Sequence, residues 1–423
     1  MRKRIILALL CLAAPGRAAA QPEGLGPEPL VREALASNPS VQSMRHRVAA
    51  IDERAAVAGA WSDPMLAVEY SNVPVSSLAL MDHPMAGLQI KVTQTLRPPG
   101  WSAAMRGVLE QHADASAQAV AELEVELARG VRRAWWLLVR ARLLRVVTEQ
   151  HLALTDELLA AARVRYETGS IGQHGVLRLE VLRDRLSDEL GEFDRLDGEL
   201  SATLMEALAA DEAPRFDTPT SVAPVPAPSE TDWLALAEAH RPLLARLDAE
   251  QRAAERAAQV ARMDGWPDPS VWAGYRLRTA QTPTDPGTDL VSVGVGLPIP
   301  TGSGRRAAGA RAAALEEARA VASTRASTLD QIAADMASIL ARWTRAWDKT
   351  TTYDDALIPG ARATLETTRS DFAVGRADFS ALFEAEVALL DLERARIVAA
   401  VDTHLQHAEA AAVLGTLPPG GAP

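Results

Sequence analysis

The stretch WSDPMLAVEYSN, Trp61–Asn72, decides the fold, because a run of Ala-rich, helix-forming residues stops there and a strict alternation begins. Leu66, Val68 and Tyr70 fall on one side of this alternation, with small or polar residues between them. A period of two is typical of a β-strand with one apolar and one polar face. Pro64 disfavours helix in the residue before it, so we expect a helix to end here and a strand to begin.

The stretch WPDPSVWAGYRL, Trp266–Leu277, repeats this pattern about 205 residues later. Two further pairs of landmarks recur in the same order and at nearly the same offset. They are Pro39 with Pro242, and Gly169 with Gly375. Three matched landmarks predict that the chain is a tandem duplication.

The N-terminus has the three parts of a secretory signal, namely basic MRKR, apolar IILALLCLAA and PGRAAA before Gln21. The only cysteine, Cys11, lies in this segment and follows Leu10 instead of a small residue, so we expect no disulfide and no lipid anchor. The 44 Lys+Arg and 55 Asp+Glu give a net charge of −11, which argues against a nucleic-acid partner. After the signal no run of 18 apolar residues occurs, so no transmembrane helix is expected.

The duplication predicts how the chain is divided. We expect a signal peptide at 1–20, a first repeat at 21–212, a Pro-rich linker at 213–230, a second repeat at 231–415 and a disordered tail at 416–423. Each repeat should contain a β-hairpin (about 64–97 and 269–299), a long helix (about 101–168 and 304–374), a tip (about 164–180 and 370–386) and a return helix. The first long helix would extend ~100 Å at 1.5 Å per residue. Pro359 predicts a kink in the second.

Four alternating runs distinguish a membrane channel from an elongated rod or a soluble sheet packed on helices. About ten residues of alternating polarity suit a transmembrane β-strand. The residues predicted to face lipid are Leu88, Ile90, Val92, Val291, Val293 and Val295. Four strands cannot close a barrel, and an open edge in hydrocarbon leaves backbone groups unpaired. Several copies must therefore share one barrel, with two copies giving eight strands and three giving twelve.

Two segments carry a resemblance to a known family. EALASNPSVQSMRHRVAAIDERAAVAGAWSDPML (Glu33–Leu66) and ALIPGARATLETTRSDFAVGRADFSALFEAEVALLDLERAR (Ala356–Arg396) resemble the TolC-like outer-membrane efflux channels, and the likeness extends from about Pro29 to Leu414. The resemblance implies a mainly α fold with duplicated long helical hairpins and a pair of membrane β-hairpins. It also implies a homotrimer with a shared twelve-stranded barrel in the outer membrane and an α-helical barrel in the periplasm.

The same resemblance implies a passive exit duct with two partners, a periplasmic adaptor and an inner-membrane pump. The first hairpin looks like those of heavy-metal efflux channels of the resistance–nodulation–division type, so metal ions or small toxic compounds are the expected cargo. Drug-efflux channels, type I secretion channels and a non-pore periplasmic coiled-coil adaptor remain as alternatives. No enzyme motif, cofactor site or metal site is predicted; GLPIPTGSGRR (Gly296–Arg306) lacks the Gly-Lys-Ser/Thr ending of a phosphate loop.

Relatives place the gate and the adaptor contact in the two tips. By position, the candidates here are Gly169, His174, Arg178, Glu180, Gly375, Arg376, Asp378 and Glu384. The family's usual lock is not reproduced, since Phe372 lacks the hydroxyl of the usual aromatic residue and Ala377 stands where an Arg is usual. A second group marks the helix–strand junctions, where an aromatic belt would lie. It consists of Trp61, Asp63, Pro64, Trp101, Trp266, Asp268 and Pro269.

Overall fold

The computed structural model describes residues 26–80, 83, 85–228, 232–278 and 286–416. The predicted signal peptide at 1–20, and all but Thr416 of the predicted tail, lie outside these residues. In chain order the described residues form α1 (Glu28–Ser37), α2 (Pro39–Val57), β1 (Met65–Ser71), β2 (Gly87–Thr95), α3 (Trp101–Glu167), α4 (Gln173–Leu208), α5 (Trp233–His240), α6 (Pro242–Met263), β3 (Ser270–Leu277), β4 (Leu290–Gly296), α7 (Ser303–Thr352), α8 (Ile358–Ala373) and α9 (Phe379–Leu414).

The short helix at the start of each repeat breaks at a proline. Between α1 and α2, the Asn38 side chain accepts a hydrogen bond from the Ser40 amide at 2.9 Å, and Pro39 takes the first helical position. Proline is favoured there because its missing N–H has no helical partner to lose. Pro242 starts α6 in the same way.

Two long helical hairpins make up most of the molecule, α3 with α4 in the first repeat and α7 and α8 with α9 in the second. α3 has 67 residues, and α4 returns along it for 36 residues. Gly169, at the turn between them, has φ +72°, and Gly375 at the turn between α8 and α9 has φ +78°. Such left-handed positions favour glycine, which explains why both turns keep it.

The long helix predicted at 304–374 contains a π-helical turn. α7 ends at Thr352, a π-helical turn occupies Tyr353–Leu357, and α8 starts at Ile358. Pro359 has no N–H to donate and its ring crowds the preceding turn, and the wider π turn relieves that clash. The helical backbone thus continues from α7 into α8 through the π turn, which lies next to Pro359, where the sequence predicted a kink.

The two repeats share one packed interior. The largest apolar cluster joins Val131, Trp135 and Leu138 of α3 to Leu204 of α4 and Val401 of α9. A second cluster, beside the hairpin turns, also joins helices of both repeats, whereas a third, around Trp343, packs α5, α6, α7 and α9 of the second repeat together. Burial of these side chains, at roughly 25 cal/mol per Å², holds the repeats side by side.

The connection between the repeats is bound to the helices. In the segment Val222–Val225, which we call the strap, the Val222 carbonyl accepts from Arg396 at 3.0 Å. The Val225 amide donates to Thr403 at 3.0 Å, and its carbonyl accepts from the Trp343 indole at 2.8 Å. The strap thus crosses α7 and α9 and is held to both helices by hydrogen bonds to its backbone.

The strands form one sheet in the order β1-β2-β3-β4, and each neighbouring pair is antiparallel. Each repeat contributes a hairpin, and the two hairpins join through β2 and β3. Within the single chain, β1 and β4 are the outer strands of the described sheet. A mainly helical chain with duplicated long hairpins and four strands confirms the predicted fold class.

Candidate functional site

One face of the sheet is apolar and exposed. Register places Leu66, Val92, Ala273 and Val293 in one row across the four strands, and Val68, Ile90, Tyr275 and Val291 in the next. Val291, Val293 and Val295 of β4 are 73%, 77% and 72% exposed, Ile90 and Val92 are also exposed, and Leu88 is half-buried. A continuous apolar surface of this kind marks contact with lipid or protein.

The opposite face is polar and more closely packed. Glu69, Gln89 and Arg276 share a row, and the Arg276 guanidinium donates to Gln89 Oε1 at 2.8 Å. The Trp272 ring lies over Gly294, where an added Cβ would approach the ring to 2.5 Å. Because the faces differ in this way, the sheet can separate an apolar environment from a polar one.

The helix–strand junctions bring some of the predicted residues together. Trp101 begins α3, and its indole nitrogen donates to Asp264 at 2.8 Å. Arg97 lies over the Trp101 ring at 4.5 Å and pairs with Asp268 at 2.7 Å, while Pro269 accepts the Leu96 amide at 2.8 Å.

The remaining junction residues are exposed or half-buried. Trp61 and Trp266 are about equally exposed, and Asp63 and Pro64 lie in the exposed segment between α2 and β1. The paired tryptophans occupy equivalent places in the two repeats, each just before a strand.

The predicted charges of the hairpin turns bind mostly within their own hairpin. Glu180 pairs with Arg163 at 2.8 Å, Arg376 pairs with Asp371 at 3.5 Å, and Asp378 caps α9 through the Ala381 amide. Such exposed pairs contribute only about 0–1 kcal/mol each. His174 lies at the start of α4, where its ring adjoins Gly172.

Arg178 is the predicted residue that joins the two hairpins. It donates to Ser380 Oγ at 3.3 Å and lies over the Phe383 ring at 5.3 Å, and the same serine hydroxyl donates to Glu384. Phe372, where a hydroxylated aromatic would be usual, is buried beneath the Arg165 guanidinium at 4.1 Å. The turns are thus held by ring contacts and buried apolar surface more than by exposed charge.

A buried charged cluster that was not predicted from the sequence lies in the same helical hairpins, further from the turns. His151 of α3 donates from Nδ1 to Glu386 Oε1 at 2.6 Å and from Nε2 to Glu393 Oε2 at 3.0 Å, and both acids belong to α9. Arg362 of α8 pairs with Glu393 at 2.6 Å. The side chains of His151 and Glu386 are only 6% and 2% exposed. A signal was present, since Glu386 and Glu393 interrupt the apolar seam of α9 at a spacing of seven residues.

Hydrogen bonding determines the protonation state of this cluster. Burial, the largest single influence, lowers the pKa of His151, but the hydrogen bonds to Glu386 and Glu393 together outweigh it and raise that pKa to about 9. The hydrogen bond from His151 in turn lowers the pKa of Glu393, against the opposing effect of burial. The imidazole is therefore an imidazolium at neutral pH.

His404 and His407 of α9 are packed against tryptophan rings. The His404 ring stacks on Trp136 at 3.7 Å between centroids, and its Nε2 donates to the Ala223 carbonyl of the strap. Burial lowers the pKa of His404 to about 4. His407 packs against the Trp343 ring. Throughout the described residues no group of three or more His, Cys, Asp or Glu could hold a metal ion.

In the part of the chain that the structure describes, none of the helices has the length and hydrophobicity that crossing a bilayer requires. A long helical body that ends in an antiparallel sheet with an exposed apolar face is the architecture of an outer-membrane channel. The family model described as outer membrane efflux protein matches residues 30–180 and 233–416. The chain belongs to this outer membrane efflux protein family, as the resemblance predicted, and is an outer-membrane protein that extends into the periplasm.

Solved channels share the fold at low sequence identity. The outer membrane protein VceC of Vibrio cholerae has 16% identity and a TM-score of 0.76, with 92% of this chain and 96% of that chain covered. CusC has 13% identity and a TM-score of 0.74, covering 94% and 96%. The MtrE outer membrane channel of Neisseria gonorrhoeae, in its open state, has 14% identity and a TM-score of 0.72, covering 93% and 89%. No curated protein matches the sequence significantly.

Proposed function

We propose that three copies of this chain form a passive exit duct across the outer membrane. The observation that carries the proposal is the sheet, which has an exposed apolar face and, in β1 and β4, two outer strands. In hydrocarbon those outer strands need partners, because each unpaired backbone group costs several kcal/mol. Pairing β4 of one copy with β1 of the next supplies them.

Twelve strands from three chains fit a conducting channel better than eight from two. An eight-stranded barrel is nearly filled by its own side chains, whereas a wider barrel leaves a lumen. The polar face carries large side chains such as Trp272, Lys91 and Arg276, which need that wider space. The protein conducts and does not catalyse, and it needs no cofactor.

The oligomer and the pore can be tested together. The detergent-extracted protein should migrate as a trimer in native mass spectrometry and should produce conductance steps in planar bilayers. Recovery as a monomer in the soluble periplasmic fraction, without conductance, would refute the duct. That result would favour a non-pore periplasmic scaffold, an alternative that the family assignment does not support.

The hairpin turns are the proposed docking site for a periplasmic adaptor, which would connect the duct to an inner-membrane pump. Several apolar side chains there are exposed, namely Val164, Tyr166, Leu177, Val181 and Val374. Exposed apolar groups next to charged ones are typical of protein contacts. A photo-crosslinker placed at Val374 should capture a periplasmic adaptor protein, and one placed at Val146, which is exposed on α3 further from the turns, should not.

Metal ions or small toxic compounds are the proposed cargo, on the likeness of the first hairpin to heavy-metal efflux channels. A passive duct needs no selective pocket, so cargo is defined by the pump. A deletion strain should become sensitive to copper, zinc or cobalt salts and regain tolerance with the plasmid-borne gene. Sensitivity confined to antibiotics, or loss of a secreted protein, would instead assign drug efflux or type I secretion.

A further inference from the structure

The charged cluster of His151, Glu386, Glu393 and Arg362 lies where the first helical hairpin meets the second. Apolar side chains pack around it. Leu158, Phe372 and Phe379 lie on the side of the turns, and Leu390 lies between the two acids on α9 and packs against Leu186. A buried polar cluster of this kind adds little net stability, but breaking it would leave charges buried without partners.

The hydrogen-bond geometry of His151 alone indicates that its ring is positively charged. Each ring nitrogen of His151 faces a carboxylate oxygen, one at 2.6 Å and the other at 3.0 Å. Two carboxylate acceptors on opposite sides of one ring require two N–H donors, and only the imidazolium has both. With Arg362 on Glu393, two positive groups balance two negative ones, so the cluster is neutral as a whole.

The cluster also fixes the position of α9 along α3. Glu386 and Glu393 are seven residues apart, about 10.5 Å along the helix. Their side chains converge on the His151 ring, which binds both carboxylates. A shift of one helical turn, about 5.4 Å, would break both bonds and leave buried charges unpaired, which proteins tolerate poorly. Within the described structure Glu386 Oε2 is already buried without a hydrogen-bond partner. Separation of the helices would expose that oxygen to water, which would offset part of the cost of breaking the two bonds.

We propose that His151 is a latch that joins the α3–α4 hairpin to the α8–α9 hairpin and keeps the end of the duct from widening until it is broken. The proposal rests on the duct function proposed above. The groups that face His151 are Glu386 and Glu393 from α9 and Arg362 from α8. One turn away, Arg394 of α9 donates to Thr148 of α3 and also pairs with Glu189 of α4.

The latch makes opening depend on alkaline pH. In the latched state the pKa of His151 is about 9, and on exposure to water it returns to about 6.5. The ratio of latched to released chains should therefore fall by about two orders of magnitude as pH rises from 6.5 to 9. Below pH 6.5 the imidazolium is present in both states and the ratio is constant.

The test is conductance of the purified oligomer in planar bilayers between pH 6 and 10.5. The wild-type channel should be mostly in its low-conductance state at pH 7 and should open reversibly above pH 9. His151→Gln should raise the ratio of released to latched channels at pH 7 by about two orders of magnitude, which is the contribution of the imidazolium at that pH, and should lose this pH step. Glu393→Gln, which alters the more accessible acid, should open the channel in the same direction.

Arg195→Gln is the matched control, since Arg195 forms exposed pairs with Glu192 and Glu199 on α4, away from the latch. It should behave as the wild-type channel. A wild-type channel without a pH step, or His151→Gln with wild-type opening, would overturn the latch while leaving the duct intact. If the variants fail to assemble, the wild-type pH step decides alone. Absence of conductance from wild type and control at every pH would refute the duct itself.

Discussion

Val293 offers the sharpest test of which face of the sheet meets lipid. It lies mid-strand in β4, is 77% exposed, and shares its row with Ala273, Val92 and Leu66. Lysine at the midplane of a lipid-facing strand costs about 2–4 kcal/mol. In a trimer the substitution occurs three times, so Val293→Lys should cost roughly 6–12 kcal/mol per assembled channel.

The neighbouring residue is the control. Ser292 points to the opposite face, in the row that already contains Lys91 and Gly274, so a lysine there should remain hydrated. Ser292→Lys should change stability by less than about 1 kcal/mol, the usual range for exposed positions. The two variants introduce the same side chain at adjacent positions, so they differ only in the face of the sheet on which the lysine lies.

The assay is urea unfolding of channels reconstituted in liposomes, together with the yield of trimer from outer-membrane fractions. Val293→Lys should lower both, and Ser292→Lys should lower neither. If the two variants lose stability equally, or if Ser292→Lys is the worse, the face assignment is wrong and the apolar face of the sheet does not contact lipid.

Three further predictions concern the helices and the polar face. Since the folded pKa of His151, about 9, exceeds its ordinary 6.5, its stabilisation is complete below pH 6.5 and lost as pH rises through 9. Urea titrations should show roughly 3 kcal/mol of this loss in the wild type and none in His151→Gln. Trp343→Phe removes the indole donor to the strap and should cost about 1–3 kcal/mol in thermal unfolding. Trp347→Phe, at a half-buried tryptophan one turn further along α7, should cost less, and equal losses would contradict the strap contact. Gly294→Ala should displace the Trp272 ring, visible as a shift in its fluorescence, and an unchanged spectrum would contradict the close packing.

The strands were predictable because their signal is local. An alternation such as that of Leu66, Val68 and Tyr70 reports the face of each residue without knowledge of its neighbours. The pairing of β2 with β3, which joins the two repeats, depends on contacts between distant segments and could not be read in the same way. Pro359 likewise indicated a disturbed helix, but it did not indicate that the disturbance would be a π turn at Tyr353–Leu357, where Asp354 pairs with Arg396 of α9.

The latch shows why the functional residues were harder to predict than the fold. His151 and Glu386 are 235 positions apart, and the sequence around either residue does not indicate that they are in contact. The tip residues were chosen by position in a related pattern, and most of them turned out to bind within their own hairpin. Arg178 could be recognised from the sequence as a charged residue of the turn, but its hydrogen bond to Ser380 of the other helical hairpin could not be predicted.

Exposed apolar side chains are concentrated at two places in the molecule, the sheet and the hairpin turns. Most of the large ones lie on the sheet and its flanking segments, and a smaller group lies at the hairpin turns. The helices between these ends carry ion pairs such as Arg145 with Glu149 and Arg195 with Glu199. Apolar surface at both ends and charge between them means that each end requires an apolar contact while the middle stays in water. A duct fixed in a membrane at one end and joined to a protein at the other needs this arrangement, and a periplasmic rod does not.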